Sequence, residues 1–275
     1  MEKYTPTDTV PSHGNDNNRT NLKNALLLME NRSILPRGSV VEGGSCGSAG
    51  GGGVTNYDLY PVGKGNPIPT ASSYSPSNLV SLGLPSCSSN LKIKSDVKDK
   101  LGEMLDAARK SGFDIKVRSA YRDYNTQYNL FYNVYIPQEK NNCLTNPASH
   151  PCGRNCNDQS CIEREVNKYS ARPGESEHQL GTTVDLLIDC SNWPACSDTG
   201  KWNECEDAYK WLRDHAHQYG FVISYTPWNG DYKFEPWHAR YIGVDLAREI
   251  YNKGYLNESS GITVKSFLQE RWRNK

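Results

Sequence analysis

The sequence predicts an α+β fold in which a small, largely antiparallel sheet is flanked by helices. Three observations carry this: short β-branched apolar runs, stretches of helical period, and the absence of a regular βαβ alternation or internal repeat. At 275 residues the chain has room for one sizeable domain and an appendage, so one active site is expected.

Residues 1–20 are polar and without period, which predicts disorder. Asn21–Glu30 predicts a short helix and Val41–Gly53 a flexible glycine-rich linker. The expected division is therefore an N-terminal segment over residues 1–56 and a domain over residues 57–275. From Tyr57 to Leu84 the chain is rich in Pro, Gly and Ser and is expected to wrap a core in extended form, with Cys87 as a candidate pin.

Ser95–Lys110 predicts a helix with Ser95 as N-cap and Val97, Leu101, Met104, Leu105 and Ala108 on its buried face. Gly112 ends it, and Phe113–Val117 reads as a strand. A second helix is expected from Asp123, carrying Tyr128, Leu130, Phe131 and Val134 toward Pro137. The stretch Cys143–Cys161 reads as a loop within an insertion near residues 138–170, and Ile162–Tyr169 as a brief helix beside it. Thr182–Ile188 is a β-branched strand, Glu204–Tyr219 a helix ended by Gly220, and Phe221–Tyr225 a strand; His238–Ile242 reads as the next strand and Val244–Tyr251 as a helix.

Lys+Arg and Asp+Glu both number 31, so no net charge draws the chain to nucleic acid or anionic membrane. No apolar run approaches the roughly 20 residues that span a bilayer, which argues against membrane insertion. The polar start MEKYTPTDTV is no signal peptide. Nine cysteines are many for a reducing compartment and predict a disulfide framework in an exported protein, extracellular or periplasmic, whose targeting segment these residues lack. The alternative is a structural zinc knuckle on Cys152, Cys156 and Cys161. A monomer is expected.

Two clusters carry chemistry. Glu177-His178-Gln179-Leu180-Gly181, followed by Thr182-Thr183-Val184-Asp185, places an imidazole and a carboxylate on either side of a glycine turn. In Glu235-Pro236-Trp237-His238 the proline forbids a regular helix, and the resulting bend can bring Glu235 and His238 to one side. Two nitrogens and one carboxylate oxygen leave a zinc ion one open position, the arrangement of a hydrolytic site. An uncoordinated Glu235 suits a general base. His150, His215 and His217 lie outside both clusters and are expected to be solvated or capping.

Ser176-x-His178-x-x-Gly181-x-x-x-Asp185 and Glu235-Pro-Trp-His238 resemble the two signature motifs of the VanY-type D-alanyl-D-alanine carboxypeptidases, members of the LAS zinc peptidases. The resemblance extends to residues 61–80, to Arg118-Ser-Ala-Tyr-Arg122-Asp-Tyr-Asn-Thr-Gln127 and to Tyr219–Tyr225, over about residues 57 to 250. It implies the fold shared by LAS peptidases and Hedgehog domains, with Zn2+ on His178, Asp185 and His238 and Glu235 as base. It further implies Arg122, Gln127 and Ser176 around the substrate's terminal carboxylate and removal of a C-terminal D-alanine from peptidoglycan stem peptides, by D,D- or L,D-carboxypeptidase activity. A planar guanidinium at Arg122 suits that carboxylate; the alternative is an ion pair with Asp123. Trp237 and Tyr121 are candidates for the groove wall or for core. Thr182-Thr183, where relatives often carry a small residue, and the missing Arg near Ser224-Tyr225-Thr226 bear on substrate preference. The Cys-rich insertion is expected to roof the groove. The competing readings are a peptidoglycan endopeptidase of the same superfamily and a non-catalytic, zinc-containing binding domain.

Overall fold

The computed structural model describes residues 57–273. The tail, helix and linker expected before residue 57 lie outside them. A two-stranded ribbon, β1 (Leu79–Ser81) and β2 (Lys92–Lys94), leads into helix α1 (Ser95–Lys110). Ser95 is the first helical residue rather than the cap, because Lys94 takes the extended cap position without a side-chain bond.

The main sheet has the order β3 (Lys116–Ser119), β4 (Thr183–Leu187), β6 (His238–Tyr241), β5 (Phe221–Ile223), with every pair antiparallel. Strand β3 starts three residues later than the sequence predicts. Phe113 N–H bonds back to Ala108 O at 3.0 Å and so belongs to the helix exit.

Side chains alternate across a strand, and the sheet uses both faces. Val117, Val184, Leu186, Phe221, Ile223 and Ala239 face a core shared with α1 and with Ala208, Tyr209 and Leu212 of a later helix. Val222, of opposite parity, joins a separate cluster with Ala247, Ile250, Val264, Phe267 and Leu268. The parity that sends Val184, Leu186 and Ala239 into the main core sends Asp185, His238 and Arg240 to the other face.

After β3, Asp123 caps α2 (Tyr124–Tyr128), accepting from Thr126 N at 2.6 Å. The helix does not stop at Pro137. Bonding widens to π register over Asn129–Tyr135, and α register resumes in α3 (Ile136–Thr145), which puts Pro137 in the first turn, where its missing N–H costs no bond. The brief helix beside the Cys-rich loop, α4 (Gln159–Val166), starts three residues early, capped by Asp158. After β4 come α5 (Cys196–Thr199) and α6 (Asp207–His215), so the helix expected over 204–219 is interrupted by 3₁₀ turns at both ends. Helix α7 (Val244–Asn252) matches expectation; α8 (Val264–Arg273) was not foreseen.

All eight described cysteines are paired, as Cys87–Cys190, Cys143–Cys156, Cys152–Cys161 and Cys196–Cys205. The zinc-knuckle alternative fails because its three thiols are divided between two disulfides. Cys87 does pin its segment, to the loop after β4. Among the described residues no helix is long and apolar enough to cross a membrane.

Candidate functional site

Strands β4 and β6 are registered so that Asp185 and His238 are direct cross-strand partners. Such partners lie on one face with Cβ atoms about 4.5–5.5 Å apart. The third member arrives on a 3₁₀ turn, Glu177–Leu180, closed by Gly181 at φ 72°. A Cβ at Gly181 would lie 3.1 Å from the side chains of Leu79, Lys94 and Pro76, so both the left-handed backbone and the close approach require glycine.

The turn delivers the His178 ring to the cage. Its Nδ1 lies 2.7 Å from Ala120 O, at the end of β3. A carbonyl only accepts, so Nδ1 carries the proton and Nε2 offers a lone pair. That Nε2 is 3.2 Å from one Asp185 oxygen, and His238 Nδ1 is 3.1 Å from the other. Donor atoms of His178, Asp185 and His238 all lie within 4.8 Å of one another, and all three residues are buried. A tetrahedral ion with bonds of about 2.0–2.1 Å needs ligand atoms about 3.3 Å apart. The residues present fit that ion in donor type, and the contacts from Asp185 to the two rings, at 3.2 and 3.1 Å, match that spacing.

Glu235 stands beside the cage with an oxygen 3.5 Å from His238 Nδ1, held in place where the Pro236 bend closes with His238 N–H on Glu235 O at 3.1 Å. Burial pushes its carboxyl up to about 8, against the pull of the His238 imidazole. His238 would be lowered by burial, but hydrogen bonds to Asp185 and Glu177 raise it to about 10. Burial would raise Asp185, yet the two imidazoles hold it far below the usual carboxylate range. Burial lowers His178. The ring of Tyr225 lies 4.3 Å from that of His238.

Arg122 lies in the same region: its backbone N–H donates to His178 O at 3.2 Å, and its side-chain charge acts on both His178 and Glu235. Its guanidinium has no ionic partner among the described residues, and its buried Nε has no hydrogen bond. The expected alternative, pairing with Asp123, does not occur because that carboxylate caps α2. Gln127 is buried with its Nε2 on Ala171 O at 2.6 Å and Ser170 Oγ at 3.3 Å, so it braces the approach to the His178 turn. Ser176 is buried, and its side chain makes no capping bond. Trp237 is half-buried against Trp193, with ring centroids 4.6 Å apart.

Sequence reasoning missed Glu177 and Arg240. Glu177 Oε2 lies 3.0 Å from His238 Nε2, and its other oxygen accepts from Arg240 at 2.8 Å. Burial would raise Glu177, but Arg240 and His238 bring it down to about 2. A signal was present: Arg240, two residues beyond His238 on a strand, must share its face.

A small antiparallel sheet carrying a His–Asp–His cluster with a free carboxylate alongside defines the LAS type of zinc-peptidase fold. The chain belongs to the VanY family, D-alanyl-D-alanine carboxypeptidase, whose sequence profile matches residues 90–244. It is 29% identical over 181 residues to YodJ of Bacillus subtilis strain 168, covering 65% of this chain and 54% of that protein. The chain thus spans about half the length of that curated relative. Among solved structures, it is similar to a mutant of the vancomycin resistance D,D-pentapeptidase VanY from a VanB-type cassette in complex with Zn(II), with TM-score 0.57 and 25% identity, covering 77% of this chain and 99% of the other. It is also similar to VanYB in complex with D-alanine-D-alanine, with TM-score 0.56 and 26% identity, covering 78% and 98%.

Proposed function

We propose that the chain is a zinc-dependent carboxypeptidase that removes the C-terminal D-alanine from peptidoglycan stem peptides at the cell envelope, with His178, Asp185 and His238 as metal ligands and Glu235 as catalytic base. The observation that carries the reading is the cross-strand pairing of Asp185 with His238, onto which the Gly181 turn brings His178 while Glu235 stays outside the ligand set. Relatives solved with Zn(II) and with D-alanine-D-alanine support it, and the fully paired described cysteines suit an oxidising compartment.

Zinc bound there supplies Lewis acidity and lowers the pKa of a water to about 7. Glu235 accepts the proton of the attacking water and returns it to the departing amine. Arg122 grips the terminal carboxylate of the peptide, since a guanidinium without an ionic partner can make two parallel hydrogen bonds to it. An interior bond would leave that charge unpaired, which favours exopeptidase action. Ser176 offers its hydroxyl to the same carboxylate, Gln127 holds the segment that positions it, and Trp237 forms a wall.

Incubation with purified penta- and tetrapeptide muropeptides, with and without a chelator, tests the reading, and the two substrates report D,D and L,D activity separately. The expected product is a single D-alanine, lost on chelation. A larger fragment means an endopeptidase, and no cleavage at full zinc occupancy means a binding domain. Glu235→Ala is expected to keep about one zinc per chain while turnover falls about 10²–10⁴-fold, and His178→Ala to lose metal and activity together. Normal turnover by Glu235→Ala sinks the mechanism.

A further inference from the structure

His238 is held from both edges of its ring. Nδ1 faces Asp185, and Nε2 meets Glu177. Behind Glu177 stands Arg240, a fully buried guanidinium at 0% exposure. Its NH1 donates to Glu177 Oε1 at 2.8 Å, and its NH2 donates to the backbone carbonyls of Asp58 at 3.0 Å and Tyr60 at 2.7 Å. A continuous run of hydrogen bonds therefore joins the segment at residues 58–60 to the imidazole. A carboxylate braced by a guanidinium is an acceptor, so Nε2 of His238 donates to Glu177, and Nδ1, the nitrogen facing Asp185, is the one left toward the His178–Asp185 cluster.

We infer that Glu177 and Arg240 are positioning residues of the metal centre, and that through them the carbonyls of Asp58 and Tyr60 make the stretch at residues 58–60 part of it. The inference rests on the reading that His178, Asp185 and His238 hold zinc. A carboxylate behind a ligating histidine fixes its tautomer and orientation and raises its basicity, and losing such a partner weakens metal binding about 10–100-fold. An arginine with one donor on that carboxylate and another on two main-chain carbonyls ties the orientation of the ring to the docking of the segment.

A purely structural pair would stabilise the fold without touching metal affinity. The test measures the zinc dissociation constant of the full chain by competition with a chromophoric chelator, together with thermal melting and the imidazole Nε2–H resonance of His238. Glu177→Gln is expected to bind zinc about 10–100-fold more weakly and to lose the slowly exchanging Nε2–H signal. Pairing it with Arg240→Met removes both buried charges, and is expected to recover melting temperature without recovering affinity. If Glu177→Gln does not fold, Arg240→Lys takes its place: it keeps the charge but cannot reach both Glu177 and the two carbonyls, and weaker zinc binding is again expected. Affinity within about twofold of wild type in the folded variants, or recovered along with stability in the double variant, overturns the inference and leaves the zinc reading standing. A wild-type chain that takes up no zinc overturns both.

Discussion

Two segments outside the sheet, the strap before β1 and the Cys-rich insertion, are fastened by opposite means. The strap, residues 57–76, contains no cysteine. It is held by Ile68 N–H on Gly174 O at 2.9 Å, by Gln179 Nε2 on Ala71 O at 2.6 Å, by Arg240, and by a core in which Tyr60, Val62 and Ile68 pack with Leu180 of the His178 turn. The insertion is stapled by Cys143–Cys156 and Cys152–Cys161 around a small core of Phe131, Ile136, Ile162 and Val166. His150, expected to be solvated or capping, is half-buried there and accepts a backbone N–H: Nε2 lies 3.0 Å from Glu139, and Nδ1 accepts from Cys152 N at 3.1 Å. A segment that shares its apolar residues with the site is ordered by the site and orders it in return. One with its own core and covalent staples can keep its shape independently.

The sharpest way to break this contrast is to excavate the strap. Ile68→Ala is expected to cost about 2–5 kcal/mol, because a buried aliphatic side chain is lost from a close-packed cluster. Since Leu180 shares that cluster, zinc binding should weaken as well, as read by chelator competition; unchanged affinity would mean that the strap merely covers the turn.

The next effect is on the insertion. Replacing Cys152 and Cys161 together by serine opens a loop of sequence separation 9, worth about 2.5–3 kcal/mol on chain-entropy grounds. Hydrogen exchange should accelerate across α3 and α4 and stay slow in β4 and β6, with zinc affinity unchanged. A parallel shift in the choice between penta- and tetrapeptide substrates would favour the insertion as a roof over the groove, and unaltered selectivity would count against that role.

The smallest effect is a pH dependence of the strap. Burial pushes the Tyr74 phenol up to about 12, with the nearby Asp58 charge adding to it. Below about pH 10 both folded and unfolded forms keep the proton and nothing changes; above it the unfolded chain ionises first, so stability is lost progressively toward about pH 12. Melting temperatures between about pH 9 and 11 should fall less steeply in Tyr74→Phe than in wild type, and equal slopes would remove Tyr74 from the account.

Much of the site was legible because its signals are local. The glycine that permits the His178 turn, the parity that sets Asp185 on the face opposite the core-facing Val184 and Leu186, and the proline bend beside His238 are properties of a few consecutive residues. The passage through Pro137 was not legible, because a change of helical register cancels the break that a proline ordinarily causes. Nor was the cysteine pairing, since spacing within Cys143–Cys161 is compatible with several connectivities.

The sequence by itself determined which side chains are available for metal chemistry and on which face of a strand each must lie, because periodicity acts within one element. Only the tertiary structure decided that Asp185 stands opposite His238, that Glu177 and Arg240 close behind the imidazole, and that the strap's carbonyls reach Arg240 from about 180 residues away in the chain. Strand register and buried polar partners depend on which surfaces meet across the fold, and no run of neighbouring residues encodes that meeting.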